Sequence, residues 1–183
     1  MKSWKRVEPT VVHKIGFRTI VSKTFVLPDG KVQTFDTIDK EDRQGAAVVA
    51  LTTDNKVIIA RQFRVGPEMV MDELPGGFVD PGEDKVIAAR RELREETGYE
   101  AGTLTFLGTA RYDAYTNVQR HCFLATDCVL GKEGPKLGED EFVELRLISI
   151  DELIANAYNG TMSDLGPVLM AYDKLQQLKE NHE

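Results

Sequence analysis

The 183-residue sequence predicts an α/β fold, a mixed sheet flanked by helices and led by a small antiparallel β-hairpin region. Three observations predict it. AAVVALTT and KVIIARQF are short, almost continuous apolar runs, the pattern of strands buried on both faces. FRTIVSKTFVLPDGKVQTFDTI alternates β-branched and aromatic residues on both sides of Pro28-Asp29-Gly30, a hairpin signature. Further strand-like segments then interleave with three helical ones.

In chain order, the hairpin covers residues 17–38, and the polar DKEDRQG (39–45) reads as a linker. The two buried strands follow, joined by a turn at Asp54-Asn55. DELPGGFVDPGED reads as loop, being rich in Pro and Gly. A helix is expected from Asp84 to Thr97, with Asp84 as N-cap, Gly98 as left-handed C-terminal residue, and Val86, Ala89 and Leu93 on the buried face. Strands are expected near 103–111, 119–129 and 142–150. A helix spans about Asp151–Tyr158, and another follows Ser163 with an apolar stripe of Leu165, Val168, Leu169, Tyr172, Leu175 and Leu178.

Hydrophobic content of 42% and charged content of 29% are those of an ordinary globular domain. The apolar runs are too short to span a bilayer, so no membrane partner is expected. MKSWKRVEP has no apolar signal core, and Cys122 and Cys128 have no metal-ligand spacing. Together these point to a cytoplasmic chain with two buried thiols. Net charge of −7 argues against nucleic acid as partner, and requires local arginines or bound cations for a polyanionic substrate.

RRELREETG, residues 90–98, crowds Glu92, Glu95 and Glu96 along one edge of the predicted helix, where like charges repel. Arg91 and Glu95 form an i,i+4 pair, but Glu92 and Glu96 have no helical partner. Several carboxylates beside a glycine-rich turn suit a hard cation such as Mg²⁺, which takes oxygen ligands.

Gly77, Glu83 and Arg91-Glu92-Leu93-Arg94-Glu95-Glu96-Thr97-Gly98-Tyr99 match G-x5-E-x7-R-E-U-x-E-E-x-G-U at all nine specified positions. By this box the chain resembles the Nudix hydrolases, which cleave nucleoside diphosphates linked to another moiety. The resemblance implies a Nudix-type α/β/α sandwich over residues 44–183, preceded by the N-terminal β region, 1–43. It implies Glu92, Glu96 and Glu95 as metal ligands, with the Gly76 carbonyl a further one, and Mg²⁺ (or Mn²⁺) as cofactor. Arg91 and Glu83 are implied to hold the loop against the helix.

Arg61-Gln62-Phe63-Arg64 and Glu73-Leu74-Pro75-Gly76-Gly77 resemble the ADP-ribose pyrophosphatase branch, whose proteins usually carry alanine where Gly76 stands. In that branch the N-terminal hairpin is often exchanged within a homodimer. GEDEFVELRLISIDEL resembles its acidic loop, implying Glu141 as general base, with Glu139, Asp140 and Glu144 competing. The catalytic set is thus Glu141, Glu95 and Arg91. Arg64, then Arg61, are candidates for substrate phosphate, since the guanidinium fork suits phosphate oxygens. The branch's proline after the box is missing; Tyr112 and Tyr115 stand in that neighbourhood, and either offers a face for a base. Trp4 is a further stacking candidate, or a packed terminus.

The resemblance therefore implies hydrolysis of ADP-ribose to AMP and ribose 5-phosphate. The alternatives are a Nudix hydrolase of diadenosine polyphosphates or nucleotide sugars, and a non-catalytic ADP-ribose-binding sensor.

Overall fold

The computed structural model of the chain describes residues 3–38, 43–139 and 141–180. It divides into two compact units: Met1–Arg43 with Arg111–Gln119, and Gln44–Ala110 with Arg120–Glu183. Residues 39–42 of the expected linker, and Asp140, lie outside the described residues.

The first unit is a three-stranded antiparallel sheet of β1 (Lys5–Ile15), β2 (Arg18–Val26) and β3 (Val32–Ile38). The β2–β3 hairpin closes as the sequence predicts: Val26 pairs with Val32, and Gly30 donates its N–H to the Leu27 carbonyl at 2.9 Å. Gly30 has φ of 85°, a conformation that a side chain would strain. β1 was not expected, because Pro9 and the charged residues around it weaken the strand pattern. It pairs with β2 through a register shift between Val7 and Val11. Trp4 packs against Phe25 and Phe35, with ring centroids 6.4 and 5.7 Å away. The segment 111–119 joins this unit by its backbone, with Ile38 donating to Tyr115 O (2.7 Å) and Asn117 to Ile38 O (3.0 Å).

The second unit is an α/β sandwich. Its sheet runs β11 (Val143–Ile148), β5 (Val57–Arg64), β4 (Gln44–Thr52), β10 (Gln119–Leu130), β8 (Tyr99–Glu100). β6 (Met69–Met71) joins β5, β7 (Gly76–Phe78) joins β4, and β9 (Thr103–Arg111) joins β10. β4 begins at Gln44, two residues before the expected start, and β7 lies within the segment expected to be loop.

The period of two along β4 builds both layers. Val49 and Leu51 pack with helices α2 (Ile150–Asn159) and α3 (Leu165–Glu180). Ala46, Val48 and Ala50 pack under α1 (Lys85–Thr97), among Ala88, Ala89 and Leu93. Both faces are covered, which is why the strand reads as one apolar run.

α1 is capped at both ends by local chemistry. Asp84 accepts the Val86 N–H at 2.8 Å, and Gly98 at φ 75° donates to Arg94 O. Ala89 and Leu93 are buried as expected, and full burial of Leu93 contributes about 1.5–3 kcal/mol. Val86 is instead 38% exposed; Ala88 takes its place on the buried face.

In α3 the buried residues are Pro167, Val168, Ala171 and Leu175. Leu165, Leu169 and Tyr172 of the expected stripe are exposed, Leu169 at 78%. Small residues let this helix approach the sheet: a Cβ added at Gly166 would stand 3.0 Å from the Ala110 Cβ. Among the described residues no helix is long and apolar enough to cross a membrane.

Candidate active site

α1 and the β7 turn carry the site. Val48 N–H to Pro75 O (2.9 Å) and Val79 N–H to Gln44 O (3.0 Å) mark hydrogen-bonded positions of the β4–β7 ladder. Gly76, opposite Ala47, lies between them at a non-hydrogen-bonded position. Its N–H and C=O therefore point away from β4. The N–H is donated to Glu96 Oε2 at 2.9 Å, so the carbonyl emerges on the side of that carboxylate.

Both glycines are required by close approach. A Cβ at residue 76 would lie 2.2 Å from the Ala46 carbonyl oxygen, so alanine here needs the backbone to move. The glycine-for-alanine difference from the branch pattern is thus built into this chain's strand packing. A Cβ at residue 77 would lie 2.5 Å from Glu92 Oε1, where it meets only a side-chain tip. Gly77→Ala is accordingly expected to shift the thermal midpoint little yet weaken activity at least ~10-fold by displacing Glu92. Melting and steady-state assays side by side check this.

Arg91 ties loop and helix together. It donates Nε to Glu83 Oε1 and Nη2 to Glu83 Oε2, both at 2.9 Å, and Nη2 also to Phe78 O at 3.0 Å. Nη1 reaches Glu92 Oε1 (2.8 Å) and Glu95 Oε2 (3.2 Å). Glu83 further accepts the Asp80 N–H at 3.0 Å.

The carboxylates are tuned differently. Hydrogen bonds from Arg91 hold Glu83 below the usual carboxylate range. Burial raises Glu92, with Arg91 opposing. Burial pushes Glu96 up to about 8; the Gly76 N–H and Arg64 oppose, and Glu92 and Glu141 add to the rise.

The residues read from the sequence as metal ligands therefore lie together. Glu92 and Glu95 are joined through Arg91, and Glu96 is joined to Gly76. Among the described residues no three acidic, His or Cys side chains form a ready-made metal cage. The donor set nonetheless fits a hard divalent cation: carboxylate and carbonyl oxygens only, with mutual repulsion that a cation relieves.

Arg64 and Arg61 part company. Ile58 packs on the α1 side and Ile59 on the α2/α3 side. Alternation then puts Gln62 and Arg64 on the carboxylate face and Arg61 on the other. Arg64 donates Nε to Glu73 Oε1 (2.7 Å) and pairs through Nη2 with Glu73 Oε2, while Arg61 lies 3.6 Å from Asp72. Asp72 also takes Arg146 and Asn156, both at 2.9 Å.

Glu141 accepts the Gly138 N–H at 2.8 Å and lines a cavity of about 410 Å³ with Arg61, Phe63, Val70, Phe142 and Glu144. Tyr115 belongs to the N-terminal unit and is exposed, as is Tyr112. Sequence reasoning quoted Glu73 only as part of a pattern and missed Asp164, whose carboxylate accepts the Leu74 N–H at 2.8 Å. The alternation along RQFR was the available signal separating Arg61 from Arg64.

Comparison with known proteins gives the family. Residues 42–167 match the NUDIX domain. The chain is 35% identical over 130 residues to the ADP-ribose pyrophosphatase of Bacillus subtilis (strain 168), covering 70% of this chain and 69% of that protein. It is also 35% identical over 109 residues to the methanol dehydrogenase activator of Bacillus methanolicus, 59% of each chain. A crystal structure of an ADP compounds hydrolase superposes with a TM-score of 0.80 over 97% of both chains, at 20% identity, a likeness of fold. With the domain matched over most of this chain and the box residues gathered on one loop and helix, the chain belongs to the Nudix hydrolase family.

Proposed function

We infer that this Nudix hydrolase cleaves the diphosphate bond of a nucleoside diphosphate derivative, with ADP-ribose as substrate and AMP and ribose 5-phosphate as products. The observation that carries the reading is the meeting of Glu96 with Gly76 beside the Arg91-clamped Glu92 and Glu95, with Arg64 on the same face. The ADP-ribose pyrophosphatase similarity supports the substrate.

Glu92, Glu95, Glu96 and the Gly76 carbonyl hold Mg²⁺ (or Mn²⁺) in this reading. Bound there, the cation neutralises diphosphate charge and polarises one phosphorus. Arg91 keeps Glu92 and Glu95 oriented by its bond to Glu83. Arg64 offers a fork to a phosphate oxygen, and Glu141 removes a proton from the attacking water.

Residues 44–183 form the hydrolase domain of this reading. Residues 1–43 serve homodimerisation, for which the exposed Val11, Val12, Ile15, Phe17 and Val32 offer apolar surface. The chain works in the cytoplasm, where the free, buried thiols of Cys122 and Cys128 stay reduced.

The test offers ADP-ribose, diadenosine polyphosphates, GDP-mannose and NADH side by side with Mg²⁺, with products resolved by chromatography and mass measured by light scattering. AMP released fastest from ADP-ribose, by a dimer, is the expected result. Faster turnover of a diadenosine polyphosphate or a nucleotide sugar replaces the substrate and keeps the chemistry. No turnover of any of them overturns the enzymatic reading in favour of a ligand-binding role.

A further inference from the structure

Beside the carboxylate face lies a polar cluster that the box chemistry leaves unused. Asp164 directly precedes α3, a position where aspartate ordinarily accepts from the first N–H groups of its own helix. Its Oδ2 instead accepts the N–H of Leu74, ninety residues away, at 2.8 Å. Its Oδ1 pairs with Arg120, and the carboxylate side chain is fully buried. The preceding Ser163 donates to Glu73 Oε1 at 3.1 Å.

Glu73 is 5% exposed and collects three further donors: Nε and Nη2 of Arg64, and Nε2 of Gln62 at 3.2 Å. The backbone fixes the same junction, with Asp72 donating its N–H to Thr161 O at 3.2 Å. Two consecutive side chains at the α2–α3 junction thus grip consecutive residues, 73 and 74, of the segment that leads into the site. Two residues beyond Leu74, Gly76 gives its N–H to Glu96.

We propose that Ser163 and Asp164 are positioning residues for this active site: Ser163, through Glu73, sets the Arg64 guanidinium, and Asp164, through the Leu74 amide, sets Gly76 against Glu96. This rests on reading the carboxylate face as a divalent-metal site and Arg64 as a phosphate contact. A buried polar side chain is costly unless paired: Asp164 is paired with the segment it positions, and the exposed Ser163 supplies one of the donors to the buried Glu73.

Two pairs of variants test the proposal. Ser163→Ala leaves Glu73 its other three donors, so the fold persists. KM for the substrate rises about 3–10-fold with kcat changed less than about twofold, as for a lost contact that binds ground state and transition state alike. Ser163→Thr keeps the hydroxyl donor and restores KM. Asp164→Ala weakens Mn²⁺ binding about 5–10-fold, read by electron paramagnetic resonance without substrate. Asp164→Asn keeps an acceptor for the Leu74 N–H and restores most of that binding.

Unchanged KM in Ser163→Ala overturns the proposal, as does a Thr variant no better than Ala. Unchanged Mn²⁺ affinity in Asp164→Ala, or Asn as weak as Ala, overturns it equally. Should Asp164→Ala fail to fold, the Ser163 pair decides. Wild-type protein that binds no Mn²⁺ overturns the metal reading and this proposal together; unaltered variants beside a metal-binding wild type overturn this proposal alone.

Discussion

Glu96→Gln is expected to lower kcat at least ~100-fold, the upper end of what disturbing even the supports of a metal ligand costs. The fold should survive, because glutamine keeps an oxygen to accept the Gly76 N–H that Glu96 takes at 2.9 Å. The two forms should differ in their response to pH. Burial, reinforced by Glu92 and Glu141, pushes the Glu96 carboxyl from its ordinary 4.5 up to about 8. The metal-free folded protein therefore holds a proton there that the unfolded chain releases near 4.5. Its contribution to stability is complete below that value and is lost as pH rises through about 8. Metal-free wild type should lose thermal midpoint across this window relative to Glu96→Gln, which has no proton to lose. A divalent cation selects the ionised carboxylate, so Mg²⁺ should raise the wild-type midpoint more at pH 8.5 than at pH 6.5. Calorimetry at pH 7 in two buffers of different ionisation enthalpy should detect proton release on binding. Undiminished turnover by Glu96→Gln, or binding without proton release, would remove Glu96 from the ligand set.

The parts of this protein that were legible in its sequence are those whose causes are local. α1 starts and stops where Asp84 and Gly98 put it, and the box spacing sets Glu83 beneath Arg91 because seven residues of turn and helix separate them. β4 was readable because both its faces are buried. The failures have longer-range causes. β1 contains Pro9 and becomes a strand through pairing with β2, which a propensity argument does not contain. α3 carries two apolar faces, and periodicity cannot choose between them. The close approach of Gly166 to Ala110 turns the small residues inward and leaves Leu165 and Leu169 outside. At the site, Glu73 and Asp164 find partners on distant elements, Ser163 and Leu74, so no local spacing links them. Arg61 and Arg64 differ for a reason that was visible: three residues apart on a strand, they face opposite sides.

Replacing Glu141 with glutamine is the change expected to separate chemistry from binding most cleanly. A positioned general base contributes typically 10²–10⁴-fold, so kcat should fall within that range while KM changes no more than about threefold. The loop should persist, since glutamine can accept the Gly138 N–H that Glu141 Oε2 takes at 2.8 Å, and the Glu141 N–H still reaches Gly138 O at 3.1 Å. Glu144 is the comparison. It stands across the ladder from Arg61, and alternation along β11 puts it on the face opposite the carboxylate helix. Glu141 lines the same cavity as Glu144 but is also close enough to Glu92 and Glu96 to raise both of their carboxyls, which Glu144 is not. Glu144→Gln should therefore leave kcat within about twofold, because a base must reach the water it deprotonates. Steady-state kinetics of both variants at saturating Mg²⁺ decide the assignment. A kcat unchanged in Glu141→Gln but reduced in Glu144→Gln or Glu139→Gln would move the base along the loop, leaving the metal face where it is.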